Sequence, residues 1–271
     1  MVMIPQNDSL QDRLNNTIIS QLPRSHTGLS AIGEPCYRKL QYGHYWANDQ
    51  KYTAQKGRIF ATGHKAEPMI EADLFDHGIK VQNQQRQIIG SGGHWKGHID
   101  GTAMIKGLMH LIEMKTHNYK SFADLEKKKV LKSKPVHYAQ MQTYMGYLKL
   151  SRALYIAYNK NDSRYYVEFV DFDDIFFKEL VEKEMEILTA DTLLPRIGTG
   201  VKSWFACKLC DCSDICFGDV EIKISCRTCS HVDVMPEGQW RCNLLEDTLN
   251  YPDQIQGCSE YTLSKFFAVN E

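Results

Sequence analysis

The chain has no apolar run approaching the roughly 18–20 residues that a membrane-spanning helix needs, so no such helix is expected. Its N-terminal stretch, MVMIPQNDSLQDRLNN, lacks a basic segment followed by an apolar one and does not read as a secretory leader. It has no excess charge of either sign, the formal net charge being −1. Overall charge therefore gives no pull toward nucleic acid, and any such binding must come from local basic patches. Internal repeats and low-complexity tracts are also absent. What remains is a chain of 271 residues, 43% hydrophobic, enough for one sizeable core and a small appendage. Cysteine is what it has in quantity: nine, all but Cys36 lying between positions 207 and 258. Without a leader the expected compartment is cytoplasmic and reducing, where clustered thiols read as metal or cluster ligands before disulfides.

The patterning is mixed. Residues 9–35 read as a polar, partly helical lead-in ending in a turn between Ser30 and Pro35. Helical spacing of apolar residues over 57–76 predicts a helix through His64, broken near Pro68 if anywhere, with the start of a second helix at Pro68 as the alternative. Residues 80–90 look like a strand. The runs HWKGHIDGTAMI and LMHLIEMKT, separated by Lys106-Gly107, read as a β-hairpin. A polar, lysine-rich stretch (119–134) precedes a helix over 136–149. Two strands, ALYIAYNK and RYYVEFVDF, are joined by an Asn/Asp/Ser turn, and an amphipathic helix with an acidic cap covers 173–189. This order suggests an α/β fold, a central mixed sheet flanked by helices.

The hairpin carries the chemistry. Asp100 sits in GHIDG on its first strand, and Glu113 and Lys115 sit in IEMKT on its second. Residues two apart on a strand project to one face, so Glu113 and Lys115 point together, while the Met114 carbonyl remains able to reach a metal. Two carboxylates and a carbonyl form a hard oxygen site suited to Mg²⁺ or Mn²⁺, with a lysine placed to orient or help deprotonate a water. A D…E-x-K pattern is usually a solvated surface hairpin. These charges instead end apolar strands, where burial is costly unless something binds them. His64, in TGHKAE, offers an imidazole that can complete the shell, and Glu67 and Glu71 offer supporting carboxylates between which the sequence does not choose. Gln140 and Tyr144 lie four apart on one helix face, where an amide and a phenol can hold a DNA backbone or orient the lysine.

Taken in order, GHKAE, GHIDG, IEMKT and QMQTY resemble the RecB-like branch of the PD-(D/E)XK nuclease superfamily over roughly residues 30–218. The resemblance implies His64, Asp100 and Glu113 as metal ligands and Lys115 as the catalytic lysine. It gives Gln140 and Tyr144 site- or DNA-orienting roles.

Cys207, Cys210 and Cys216 form C-x₂-C-x₅-C, three close thiolates that need a fourth ligand. Cys36, in GEPCYRKLQY, supplies it if the fold returns the two segments to each other. This arrangement is similar to the iron–sulfur members of the RecB-like group, the CRISPR-associated and AddB-type nucleases. There one cysteine before the core and three after it hold a 4Fe-4S cluster; Tyr37 departs from the proline common after the first cysteine. Zinc on the same thiolates is the alternative that spacing alone leaves open, and Cys212 is either a spare thiol or a substitute ligand. Cys226, Cys229, Cys242 and Cys258, among short strands, suit a structural zinc site, with His231 as a substitute for one of the widely spaced second pair.

The expected organisation is thus a nuclease core over 1–218, clipped by an iron–sulfur cluster, and a zinc-ribbon-like tail over 219–271. The expected function is metal-dependent hydrolysis of DNA phosphodiester bonds in recombination, repair or end processing. By resemblance it is an exonuclease, of a form that suits a virus-encoded protein in a host cytoplasm, with single-strand-binding or recombinase proteins as partners. A structure-specific or restriction-like endonuclease and a non-catalytic DNA-binding scaffold are the rival readings. Lys127, Lys128, Lys129, Lys132 and Lys134 form a basic run able to guide a strand, Arg38 and Lys39 a point for a terminal phosphate, and Tyr138, Tyr144 and Tyr147 surfaces for base stacking.

Overall fold

The structure, a computed structural model, describes residues 9–267; residues 1–8, part of the stretch judged to lack a leader, lie outside the described residues. In chain order the elements begin with α1 (Leu10–Asn16), β1 (Ile18–Gln21), β2 (Thr27–Gly28), α2 (Tyr37–His44), β3 (Gln50–Thr53) and α3 (Ala54–Asp76). They continue with β4 (Val81–Gln82), β5 (Gln87–Ile89), β6 (Trp95–His98), β7 (Gly101–Ile105) and β8 (Leu108–His117). Next come α4 (Tyr119–Ser133), α5 (Pro135–Leu148), β9 (Arg152–Asn159), β10 (Tyr165–Asp171) and α6 (Asp174–Thr189). The cysteine-rich segment holds α7 (Phe205–Lys208), α8 (Ser213–Phe217), β11 (Val232–Val234), β12 (Trp240–Cys242), β13 (Asp247–Thr248) and α9 (Tyr251–Ile255).

The chain divides into two units between which it alternates. One takes in the chain through Leu22, Gln50–Ile88 and Gly97–Phe177; the other takes in Pro23–Asp49, Ile89–Lys96 and the chain from Lys178 onward. Residue 218, the expected limit of the core, is not a boundary between them.

The first unit is built on a five-stranded mixed sheet in the order β10-β9-β8-β7-β4, in which β8 and β9 are parallel and the other pairs antiparallel. The hairpin β7–β8 turns at Lys106-Gly107, whose φ values of 49° and 80° give the double left-handed turn that suits a twisted ribbon. Side-chain alternation along β8 divides its residues. Ile112 and Met114 pack with Ala66 and Ile70 of α3. Glu113, Lys115 and His117 take the opposite face, toward α4 and α5. Pro68 does not break α3, which runs unbroken for 23 residues. Its missing N–H leaves the His64 carbonyl without a helical donor.

The lysine-rich stretch is a helix rather than a plain polar connection. Asn118 caps α4 by accepting from the Ser121 N–H (2.9 Å), and Phe122, Leu125 and Val130 form its buried stripe. Its lysines decorate the outside, which is why composition hid the helix. The helix kinks at Lys129 (φ 63°, ψ 171°), and the Val130 N–H freed there donates to Glu168 at 2.9 Å. Residues 80–90 form two short strands, β4 and β5, instead of one. The acidic cap of α6 is Asp173, which accepts from the Ile175 and Phe176 amides.

In the second unit, β2 pairs in parallel with the start of β6 (Thr27 opposite Trp95). Its core gathers Tyr42, Tyr45, Cys212, Ile215, Trp240 and Phe267. Arg227, 1% exposed, lies between Trp46 (3.6 Å) and Trp240 (4.3 Å) and donates to Ser25 and His44 carbonyls and to Gln254. β11, β12 and β13 form a small antiparallel sheet. Among the described residues no helix is long and apolar enough to cross a membrane.

Candidate active site

Asp100 is not on a strand: it occupies the bend between β6 and β7, after the buried Ile99. The bend brings its carboxylate across to β8, where Oδ2 accepts from the Met114 N–H at 2.7 Å. Asp100 thereby stands beside the Glu113–Lys115 pair, with Lys115 Nζ 3.9 Å from Asp100 Oδ2 and in ion-pair contact with Glu113 Oε1. Met114 itself is buried on the α3 face.

Glu113 is fully buried, and neither of its oxygens makes a well-formed hydrogen bond. Burial pushes its carboxyl up to about 7; Lys115 opposes the rise, and Asp100 and Glu67 add to it. For Lys115 burial works against the charge, but Glu113 and Asp100 outweigh it and hold the ammonium above its ordinary value. The group is therefore a set of acids in excess of the one cation among them.

Glu67, from α3, belongs to this group. Burial raises its carboxyl, with Asp100 the next cause, while His64 and Lys115 pull it down. His64 stands mostly exposed with Nδ1 3.3 Å from Glu67 Oε1, so the structure brings His64 to the acids through Glu67. Local pattern does not separate Glu67 from Glu71, since both lie on the turns after His64.

Gln140 and Tyr144 are both buried on α5. The Tyr144 ring lies against the backbone of Gly97, where a Cβ would come within 3.0 Å of two ring carbons. The neighbouring Gln142 is structural: its amide donates to the Asp171 carbonyl (2.9 Å) and accepts from the Asp173 N–H (2.8 Å). Two histidines that sequence reasoning missed, His117 and His137, flank the same β8 face. The former could have been found by extending the alternation of Glu113 and Lys115 by two residues.

In the second unit, Cys36, Cys207, Cys210 and Cys216 line a single cavity together with Cys212. Cys36 occupies the N-cap position of α2, its side chain making no capping hydrogen bond. The Cys212 thiol donates to Cys210 and its N–H approaches Cys210 Sγ at 3.4 Å; this bonding lowers Cys210, the direction that favours a ligating thiolate. Cys212 is buried in the core and held in the thiol form by the same bond. Arg196 donates to the Cys216 sulfur (3.4 Å) and carbonyl. In the tail, burial raises Cys226 to about 11, reinforced by Cys258, Cys229 and Cys242, so all four expected ligands are electrostatic neighbours. As placed, no three His, Cys, Asp or Glu side chains among the described residues converge to metal-ligand spacing.

No protein-family model and no curated protein matches the chain. Solved structures do show likenesses. An alkaline exonuclease from Laribacter hongkongensis is 19% identical, with a TM-score of 0.47 over 61% of this chain and 87% of that one. The same exonuclease in complex with dAMP aligns at 20% identity and a TM-score of 0.41 over 60% and 90% of the two chains. A phage-related exonuclease from Haemophilus somnus 129PT is 14% identical, with a TM-score of 0.45 over 60% of this chain and 91% of that one.

Proposed function

We propose that the chain is a metal-dependent deoxyribonuclease that hydrolyses DNA phosphodiester bonds, acting as an exonuclease. The observation that carries this reading is the meeting of Asp100, Glu113 and Lys115 around a buried, under-bonded carboxylate. An acid raised to about 7 by burial, with two more carboxylates beside it, is the electrostatic signature of a site that takes a divalent cation. Asp100, Glu113 and the Met114 carbonyl would hold Mg²⁺ or Mn²⁺, with Glu67 and His64 on the open side. When bound, that ion polarises the scissile phosphate and lowers the pKa of the attacking water. Lys115 remains charged, and its ammonium orients the water and offsets negative charge growing on the phosphate. Glu113 relays Lys115 into place, and the Met114 amide fixes Asp100. Gln140 and Tyr144 shape the wall from α5, and the lysines of α4 draw in the strand.

The cysteines of the second unit complete the proposal. Cys36, Cys207, Cys210 and Cys216 would hold a 4Fe-4S cluster, with Cys212 supporting Cys210 rather than ligating. Cys226, Cys229, Cys242 and Cys258 would hold a structural Zn²⁺. Anaerobically purified protein should be brown and contain four irons and one zinc per chain; a colourless preparation containing only zinc removes the cluster.

The deciding experiment is a time course on end-labelled single- and double-stranded DNA with Mn²⁺. Wild type should shorten labelled ends and leave closed circles intact. Asp100→Ala and Lys115→Ala should each lose at least about 100-fold while keeping fold and DNA binding. Cleavage by either variant at the wild-type rate would overturn the assignment, and cutting of closed circles would make the enzyme an endonuclease.

A further inference from the structure

The β8 face that presents Glu113 and Lys115 continues to His117, and the parallel register sets Tyr155 of β9 opposite Glu113 on that face. Tyr155 is fully buried. Its hydroxyl lies 3.0 Å from His117 Nε2 and 2.9 Å from His137 Nδ1, the latter on α5. The chain extends one step further: Ser121 Oγ of α4 is 3.2 Å from His117 Nδ1. The two imidazoles stack with centroids 5.9 Å apart. Four side chains from four elements thus form one line of hydrogen bonds along the wall of the acid–lysine group.

A phenol has one proton to give. It can donate to only one of the two imidazoles and must accept from the other. If it donates to His137 Nδ1, His137 carries its proton on Nε2; His117 then donates through Nε2, and its bare Nδ1 accepts from Ser121. If it donates to His117 Nε2, His117 carries its proton on Nδ1 and donates to Ser121, while His137 donates through Nδ1. In either case the two histidines have the same tautomer. Both are neutral: burial is the main cause that takes His117 down to about 4 and His137 to about 3, and Lys115 and Lys134 are among the charges that add to it.

We propose that Ser121, His117, Tyr155 and His137 act as one coupled chain that positions the Glu113–Lys115 pair, with Tyr155 as its centre and the two imidazoles confined to a common tautomer. This rests on the nuclease reading for its effect on catalysis. Rings fixed in both place and hydrogen-bond direction limit the space in which the Lys115 stem can swing. Being uncharged, the imidazoles leave its ammonium the charge that faces the acids from this wall. These are positioning residues: nothing assigns them contact with a reacting atom.

The test has two readouts. In wild-type protein, ¹⁵N spectra of the histidine rings should find His117 and His137 both Nε2-protonated or both Nδ1-protonated; opposite tautomers overturn the proposal. In cleavage assays with Mn²⁺, Tyr155→Phe, which keeps the ring and removes the shared oxygen, should lower kcat by about 10–100-fold with KM unchanged. His137→Ala should lose more than His137→Asn, whose amide can replace the Nδ1 bond, and this pair serves if Tyr155→Phe fails to fold. Gln142→Ala is the structural control, since it unties α5 from Asp171 and Asp173 without touching the chain. A kcat for Tyr155→Phe at the wild-type level, or an equal loss in folded Gln142→Ala, overturns the positioning role. Wild-type protein that cuts no DNA with any divalent cation defeats the nuclease reading itself, a result distinct from an active wild type with an indifferent Tyr155.

Discussion

Replacing Glu113 with Gln should make the first unit more stable at pH 8 in the absence of divalent cations, although the change removes half of an ion pair. The folded state holds the Glu113 proton more tightly than the unfolded chain does, because burial raises the carboxyl from its ordinary 4.5 to about 7. Stability associated with the protonated acid is then fully present below the unfolded value and is lost as pH climbs through 7. A rise of this size corresponds to about 3 kcal/mol once ionisation is complete. The Lys115 attraction is already contained in it, since Lys115 is one of the groups that set the value.

Gln mimics the protonated acid and does not titrate. The difference between variant and wild type should therefore grow by about 3 kcal/mol from pH 4.5 to pH 8.5, in favour of the variant. Native-state hydrogen exchange of β8 and β9 amides, corrected for intrinsic rates, reads the opening of this sheet apart from the other unit. Saturating Mn²⁺ should reverse the order. At a thousandfold excess over its Kd it adds about 4.1 kcal/mol to wild type, more than the difference it must overcome, and little to Glu113→Gln. A difference that stays flat with pH, or that falls as pH rises, refutes the claim that burial outweighs Lys115 at this carboxylate.

Three further outcomes follow from other parts of the molecule. Lys129→Gly should raise the stability of the first unit by about 1 kcal/mol, because φ 63° with ψ 171° is a conformation that glycine alone adopts without strain; a lower melting temperature would contradict this. Arg227→Lys should destabilise the second unit by about 2–4 kcal/mol in chemical denaturation, since an ammonium cannot reproduce the forked bonds to Gln254, His44 and Ser25 or the stacking on Trp46 and Trp240. Gly97→Ala should cost about 1–3 kcal/mol and lower cleavage by displacing Tyr144; a crystal structure with Tyr144 unmoved would refute the contact.

Local pattern carried the reading wherever a side chain's role is set by its own element. The hairpin is such a case: apolar alternation in LIEMK, broken by Lys106-Gly107, specifies strands, turn and the shared face of Glu113 and Lys115. GHIDG reads as continuous strand, which puts Asp100 on the first strand of the hairpin, whereas the bend after Ile99 turns the carboxylate to the Met114 amide. α4 was obscured for a different reason, a narrow buried stripe of three residues among many lysines. What pattern could not reach is register between distant strands. Nothing local to ALYIAYNK says that Tyr155 comes to rest opposite Glu113, nor that α5 turns His137 onto its hydroxyl, yet those two facts create the coupled chain. The same limit explains Glu67. One turn from Glu71 and alike in sequence, it is distinguished by where α3 crosses the sheet, which puts Asp100 and Lys115 within its field. Local pattern in this chain therefore names the acids and the lysine, while packing between elements decides which neighbours surround them.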